Sequence, residues 1–326
     1  MQFVKYLTLE QFEHWHVQGL SADKLRTFIQ VFYESHEDCL HWDLSSWDVS
    51  GLTDLSYLFR CCYSLKSLNL SNWVTSNVTI TRGMFWNCQS LESINFTGWD
   101  TSNIIDALGM FSECHELKSL NVSNWNLSNV TNISHMFNNC YSLKHLNVSR
   151  WNVSNVTNMN GLFCGCHELE QLDVSRWNVG NLKDAQCLFA ECYKLKCLDV
   201  SNWDVSKVTD MSSMFENCHS LKSLNGSKTT NTCDMFERSC HSLNFSNWKS
   251  SKVDNISHML ENCHSLKSLD VSRWDFGNVT DMSSMFENCH SLKSLDALNW
   301  DVSSVEDFRC MFDGCEELSD DVKLLF

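Results

Sequence analysis

The chain has 326 residues, with 24 Lys and Arg set against 40 Asp and Glu for a formal net charge of -16. That balance opposes the attraction to phosphate on which nucleic-acid binding and docking to anionic membranes rest, and no stretch approaches the eighteen or so apolar residues of a membrane span. Proline is absent where average usage of roughly 5% would give about sixteen, as expected of a stacked parallel ladder whose interior strands all donate their backbone N–H.

Taken in chain order, Thr8-Leu9-Glu10-Gln11 followed by Phe12 and Trp15 predicts a capped amphipathic helix, with Gly19 as its stop. Ser21 through Tyr33, with Leu25, Phe28, Ile29 and Phe32 at helical spacing, predicts a second helix. Residues 1–38 are thus expected to form a helical cap over the apolar end of the long segment that starts at residue 39. The opening residues lack the uninterrupted apolar core and small-residue cleavage site of a signal peptide. With 18 cysteines in addition, a reducing intracellular setting is expected, with surface or virion association still open.

From Trp47 onward the chain repeats every twenty-six residues, and the text that starts at Trp203 returns almost unchanged at Trp274. A fixed period of this size is the mark of a solenoid, in which each unit is one coil stabilised by its neighbours. Residues 39–318 accordingly read as about eleven coils. With each tryptophan counted as position 0, the end of one coil reads Leu143, Leu146, Val148, Trp151 and Val153, whose Leu-x-Val part alternates as a short strand does. Between positions 5 and 15 the pattern becomes Val-x-x-Met-x-x-Met-Phe-x-x-Cys, as in Val208, Met211, Met214, Phe215 and Cys218, and its three- and four-residue steps predict a short helix. Thr131, Thr157, Thr209 and Thr280 at position 6 are its expected N-caps.

Ten tryptophans hold position 0: Trp47, Trp73, Trp99, Trp125, Trp151, Trp177, Trp203, Trp248, Trp274 and Trp300. Trp203 and Trp248 lie forty-five residues apart, seven fewer than two coils require, so a shortened irregular coil is expected near residues 225–247. Residues 319–326, after Glu316 and Glu317, read as a tail that is either a short cap or a docking peptide.

The string Leu-x-x-Leu-x-Leu-x-x-Asn-x-Leu is the leucine-rich-repeat signature, matched here with tryptophan in the asparagine slot. The longer phrase Asn-Cys-x-Ser-Leu-Lys-Ser-Leu-Asp-Val-Ser-x-Trp-Asp-Val-Ser-x-Val-Thr-Asp-Met-Ser-x-Met-Phe resembles the BspA-like repeat, also called DUF285, of bacterial, protist and large-virus surface proteins. The resemblance covers about residues 39 to 318. It implies an α/β repeat fold: a right-handed leucine-rich-repeat-like solenoid with one short parallel β-strand and one short helix per coil. It also implies a non-enzymatic protein used for adhesion or protein binding.

Eleven cysteines share position 15: Cys62, Cys88, Cys114, Cys140, Cys166, Cys192, Cys218, Cys240, Cys263, Cys289 and Cys315. A periodic thiol acts as a small apolar core residue. Six of these are followed by histidine, but adjacent residues point in different directions and lack the paired spacing of a zinc site. No metal or cofactor is expected. Nor is there a Gly-rich phosphate loop, a Gly-x-Ser-x-Gly elbow or a His-Glu-x-x-His helix, so no enzymatic activity is expected. The tryptophans would serve as a sugar platform if exposed. Their slot at the strand end instead favours burial, with the indole N–H bonded to backbone.

The remaining candidate is the polar strand face, which suits extended contact with a protein partner but is equally what solvation of any sheet requires. Its middle row is Asn69, Asn95, Asn121, Asn147, Asp173, Asp199, Asp270 and Asp296, flanked by lysines that include Lys118, Lys144 and Lys196. The first expectation is a protein-binding scaffold. The alternatives are a surface adhesin for host protein or glycan, and a structural spacer or virion component.

Overall fold

A computed structural model describes residues 3–221, 223–225, 234–239, 253–269, 271, 274–297, 299–324 and 326. Among the described residues the coils supply very short strands, and at Gln171 a single bridge, to a parallel ladder. β1 (His41–Asp43) pairs with β2 (Ser67–Asn69) and β2 with β3 (Ser93–Asn95), so that Trp42, Leu68 and Ile94 stand opposite one another, one repeat apart. β4 (Ser119–Leu120) pairs with β5 (His145–Leu146), β6 (Cys197–Asp199) with β7 (Ser223–Asn225), and β8 (Ser268–Leu269) with β9 (Ser294–Leu295). The strands are short because an Asn or Asp ends them. Its Oδ1 accepts the N–H two residues on, as Asn69 accepts from Ser71 at 3.1 Å and Asp173 from Ser175 at 3.2 Å, and this Asx turn bends the chain out of the sheet.

The far side of each coil departs from expectation. Among the described residues the repeats contain no helix, and positions 5 to 15 form a spiral of turns. The cause lies in two left-handed residues per coil, at positions 10 and 14: Tyr57 (φ 58°), Cys61 (63°), Asn87 (63°), His135 (54°), Asn139 (56°) and Gly165 (74°) are examples. A right-handed helix of L-residues does not accept one of these every fourth residue. The backbone N–H groups alternate instead. Met110, Ser112 and Cys114 close turns onto carbonyls three residues back, at 3.1–3.3 Å, while Gly109, Phe111 and Glu113 donate to Ser134, Met136 and Asn138 of the next coil at 2.8–2.9 Å. These N–H groups are therefore paired without a helix. A second parallel ladder of single bridges, Asp54–Ile80–Asp106–Asn132–Asn158–Asp184–Asp210, runs along this side. The expected threonine N-caps therefore have no helix to cap. Thr131, Thr157, Thr209 and Thr280 donate their hydroxyls backward to Ile105, Thr131, Lys183 and Asp254 carbonyls at 3.0–3.3 Å, tying each coil to its predecessor.

Between the two ladders lies a core built in columns. Phe59, Phe85, Phe111, Phe137, Phe163, Phe189, Phe215 and Phe236 stack with ring centroids 5.2–5.8 Å apart. Met235 and Phe236 place residues 234–239 in register with positions 10–15, for Phe215 N–H reaches the Met235 carbonyl at 2.9 Å as Phe189 N–H reaches Met214. This corrects the cysteine column. The slot in that coil is filled by Ser239, not Cys240; Ser239 is 1% exposed and its hydroxyl donates to the Phe215 carbonyl. Cys240, Trp248 and most of the segment 225–247 lie outside the described residues.

At the N-terminal end, α1 (Leu9–Glu13) starts at the expected capping box, with Gln11 N–H on Thr8 Oγ1 at 3.2 Å and Thr8 N–H on Gln11 Oε1 at 2.9 Å. It ends at Glu13, ahead of Gly19, which turns the chain with φ 78° instead of closing the helix. α2 (Ala22–Ser35) buries Leu25, Phe28, Ile29 and Phe32, the stripe its spacing requires. Phe12 stacks on Phe32 at 3.8 Å and packs edge-on to Trp42 and Trp47 of the first coil. At the other end, α3 (Asp320–Lys323) is followed by Phe326, whose ring lies 5.5 Å from Trp300 and 5.8 Å from Phe312.

Candidate functional site

The described members of the middle polar row come together on one face. Asn95, Asn121, Asn147, Asp173, Asp199 and Asp296 are exposed and Asn69 is half-buried, while Asp270 lies outside the described residues. Their side chains are engaged locally. Asn69 Nδ2 donates to Asp43 Oδ1 and Asn95 Nδ2 to Asn69 Oδ1, both at 3.0 Å, which makes a ladder across the first three strands. Further along, Ser123, Ser149 and Ser175 hydroxyls donate to Asn121, Asn147 and Asp173 at 2.7–2.9 Å. The serine hydroxyl and then the serine N–H hold the Asp173 carboxyl below its usual range. Position 22 thus has a structural duty, to end the strand, even where its side chain is exposed.

Lys118, Lys144 and Lys196 are not free cations. Position 19 carries Lys66, Glu92, Lys118, Lys144, Glu170 and Lys196 in successive coils. Stacking puts Lys118 Nζ 3.2 Å from Glu92, and Lys144 and Lys196 at 3.3 and 2.7 Å from Glu170. The hydrogen bonds from Lys196 and Lys144 pull the Glu170 carboxyl down to about 2. Reading the lysines alone missed Glu92 and Glu170. The signal was present in the sequence as charge alternation along one repeat position.

The other ladders are structural. Indole Nε1 of Trp73, Trp99, Trp151, Trp177 and Trp203 donates to a backbone carbonyl of the preceding coil, for example Trp151 to Val122 at 2.9 Å. Trp73, Trp151, Trp177 and Trp203 are buried and offer no face to a sugar, whereas Trp99, Trp274 and Trp300 are half-buried and Trp248 lies outside the described residues. The buried thiols do the same work on the approach to the sheet: Cys88, Cys114, Cys140, Cys166, Cys192 and Cys218 donate to the carbonyl of the preceding coil's phenylalanine at 3.0–3.3 Å. All described cysteines are free thiols, and burial pushes Cys218 up to about 12. Among the described residues no group of three or more His, Cys, Asp or Glu is arranged to hold a metal. The histidines that follow the cysteines stack in a surface column with tyrosines. His115–Tyr141, Tyr141–His167 and His167–Tyr193 lie 4.5, 4.5 and 4.4 Å apart. No described helix is long and apolar enough to cross a membrane.

A family model described as Mycoplasma protein of unknown function, DUF285, matches residues 4–120, 108–226 and 230–325, which together take in nearly the whole chain. No curated protein matches by sequence. Among solved structures the chain is similar to a leucine-rich repeat protein from Bacteroides ovatus, at 19% identity over 82% of this chain and 81% of that one, with a TM-score of 0.34. The leucine-rich repeat domain of APL1B matches at 17% identity over 90% of this chain and 86% of that one, with a TM-score of 0.30. A third similar structure is the functional domain of InlJ from Listeria monocytogenes, whose description includes a cysteine ladder. It matches at 13% identity over 87% of this chain and 67% of that one, with a TM-score of 0.18.

Proposed function

Given that the chain belongs to the DUF285 family of BspA-like leucine-rich-repeat solenoids, we propose that it is a non-enzymatic scaffold that binds a protein partner through its strand face. The observation that carries this reading is the register of that face. Asn95, Asn121, Asn147, Asp173 and Asp199 are exposed on consecutive coils, at the parallel-strand spacing of about 4.8 Å, and present a regular array of amide and carboxylate edges. Beside it runs the Lys–Glu row, which favours a partner whose charges alternate along the same axis. A face of this kind supports contact over many coils with little conformational cost, because each element is already fixed by its neighbours.

Two variants test the reading by affinity recovery of the tagged chain from its native source, read by mass spectrometry. Reversing Lys118, Lys144 and Lys196 to Glu removes the pattern of charge, and Ser119→Arg with His145→Arg, at exposed positions of the same strands, blocks the face without touching the ion pairs or the Asx turns. Both are expected to lose the partner while circular dichroism stays unchanged. Full recovery by both variants sinks the proposal.

A further inference from the structure

In a repeat protein the residues that leave the pattern are the ones the coil does not need, and three of them converge on the turn side of the early coils. At position 13, where neighbouring coils carry Arg60, Ser112, Asn138 and Cys164, stands Trp86, which is 36% exposed. At position 9, where serine stands in Ser56, Ser134 and Ser212, stands Leu108. At position 10 stands Gly109, and crowding does not require it: a Cβ there would meet only Ser112 Cβ, at 3.7 Å. Gly83 and Gly161 differ, since a Cβ on them would strike the rings of Tyr57 and His135. Backbone conformation does not require Gly109 either, because Tyr57 and His135 adopt the same φ at this position, 58° and 54° against its 58°. The glycine opens space. Trp86, Leu108 and Gly109, with Tyr57 and Glu113, line a cleft of about 300 Å³.

The shape of that space is set by the coil spacing. Where successive coils carry rings on the surface they stack at 4.4–5.5 Å, as His115, Tyr141, His167, Tyr193 and His219 do. Trp86 has the Arg60 guanidinium 4.4 Å over its ring on the side of the preceding coil. In the next coil its position is Ser112, so no ring follows it and a ring-sized slot stays open. Arg60 is exposed and forms no ion pair among the described residues, an unused cation in a chain of net charge -16. We propose that this cleft receives an aromatic side chain of a protein partner, stacked on Trp86, with a carboxylate next to it on the partner paired to Arg60.

A pyranose is the other ring that stacks on tryptophan, but it needs partners for several hydroxyls. The walls here are mostly carbon, and the Glu113 oxygens already accept from His115 at 2.9 Å and Asn139 at 2.8 Å. An aromatic ring suits such walls better. The proposal rests on the protein-binding reading above but uses the opposite side of the coil, so the two can fail separately.

The test is a titration of the full chain, followed by the Trp86 indole ¹⁵N–¹H resonance, which is assigned from its loss in Trp86→Phe. N-acetyl-L-tyrosine, with a ring and a carboxylate, is expected to give a saturable shift, and N-acetyl-L-tyrosinamide to bind at least threefold more weakly. Trp86→Ala, followed by saturation transfer to the tyrosine ring, and Gly109→Leu, which fills the slot, are each expected to weaken binding more than tenfold. Arg60→Gln is expected to abolish the difference between acid and amide. No saturable shift with either tyrosine compound, an equal response to N-acetyl-L-leucine, or saturation by methyl β-D-glucopyranoside alone overturns the proposal. Loss of the partner in the strand-face variants with full recovery by Trp86→Ala removes this site as a partner contact and leaves the scaffold reading standing.

Discussion

Gly165→Ala separates the spiral of turns from the helix that the repeat pattern suggests, because the two give opposite signs. Inside a helix, Gly to Ala stabilises by about 0.8–1.0 kcal/mol. In the structure Gly165 has φ 74°, in the left-handed region that costs an L-residue roughly 1–2 kcal/mol. A Cβ at this site would also collide with Asn139 Oδ1 and lie 3.2 Å from Asn139 Cα and 3.3 Å from its Cγ. The Asn139 side chain cannot simply swing away, since its Nδ2 is bonded to Glu113 at 2.8 Å. Overpacking of this kind adds about 1 kcal/mol or more, so the expected loss is about 2–4 kcal/mol. Gly109→Ala is the control. Its φ is 58° but its Cβ has open space, so only the conformational cost of about 1–2 kcal/mol remains. Urea unfolding followed by tryptophan fluorescence measures both, and the difference between them isolates the Asn139 contact. A Gly165→Ala protein that is as stable as the parent, or more stable, refutes the left-handed assignment.

The remaining predictions concern the ladders. Trp151→Phe removes the indole N–H from the Val122 carbonyl, which still accepts the Trp125 N–H at 3.1 Å, so an ordinary hydrogen-bond loss of about 0.5–1.5 kcal/mol plus lost packing is expected in the same urea assay. A change below about 0.3 kcal/mol argues that the bond contributes nothing. With a thiol-reactive disulfide reagent, exposed Cys197 and Cys310 should label in the folded chain, while Cys140 and Cys166 label only on unfolding. Rapid native labelling of Cys140, read by peptide mass spectrometry, contradicts the buried column. Glu170 should titrate near 2 by carboxyl-carbon NMR and move up toward 4.5 in the Lys144→Met, Lys196→Met double variant or at high salt. Because its folded value is the depressed one, what the pairing contributes is present above about 4.5 and is lost as pH falls toward 2. An unchanged Glu170 titration in the double variant refutes the pairing.

The period, the strand and the buried columns were legible because they depend on side-chain type at a repeated place. Leu68, Leu120 and Leu146 are buried at strand centres, and Trp151 and Trp177 bond to backbone as their slot requires. The α1 capping box was legible for the same reason, as both of its partners are local. The helix was misread because three- and four-residue apolar steps fit a spiral of tight turns as well as a helix. The discriminating residues were Asn87, Asn139, Asn217, Asn262 and Asn288 at position 14, replaced by Gly165 and Gly314, a left-handed signature in a place where a helix wants neither. For the candidate site, the row of Asn and Asp was legible but its Asx-turn duty was not, since polar residues on a strand look alike whether they face solvent or their own backbone.

By itself, then, the sequence determined that the chain stacks, how far apart the coils repeat and which side chains go inward, because the burial of an apolar stripe depends only on a pattern along the chain. Only the tertiary structure decided what one coil is to the next. That Ser239 stands in for a cysteine, that Lys144 and Lys196 share Glu170, and that Trp86 has a guanidinium on one face and space beside Gly109 are all relations between residues about one coil apart. Such relations arise when coils come into register, and hydrogen bonds and ion pairs across that register have no counterpart within a single repeat.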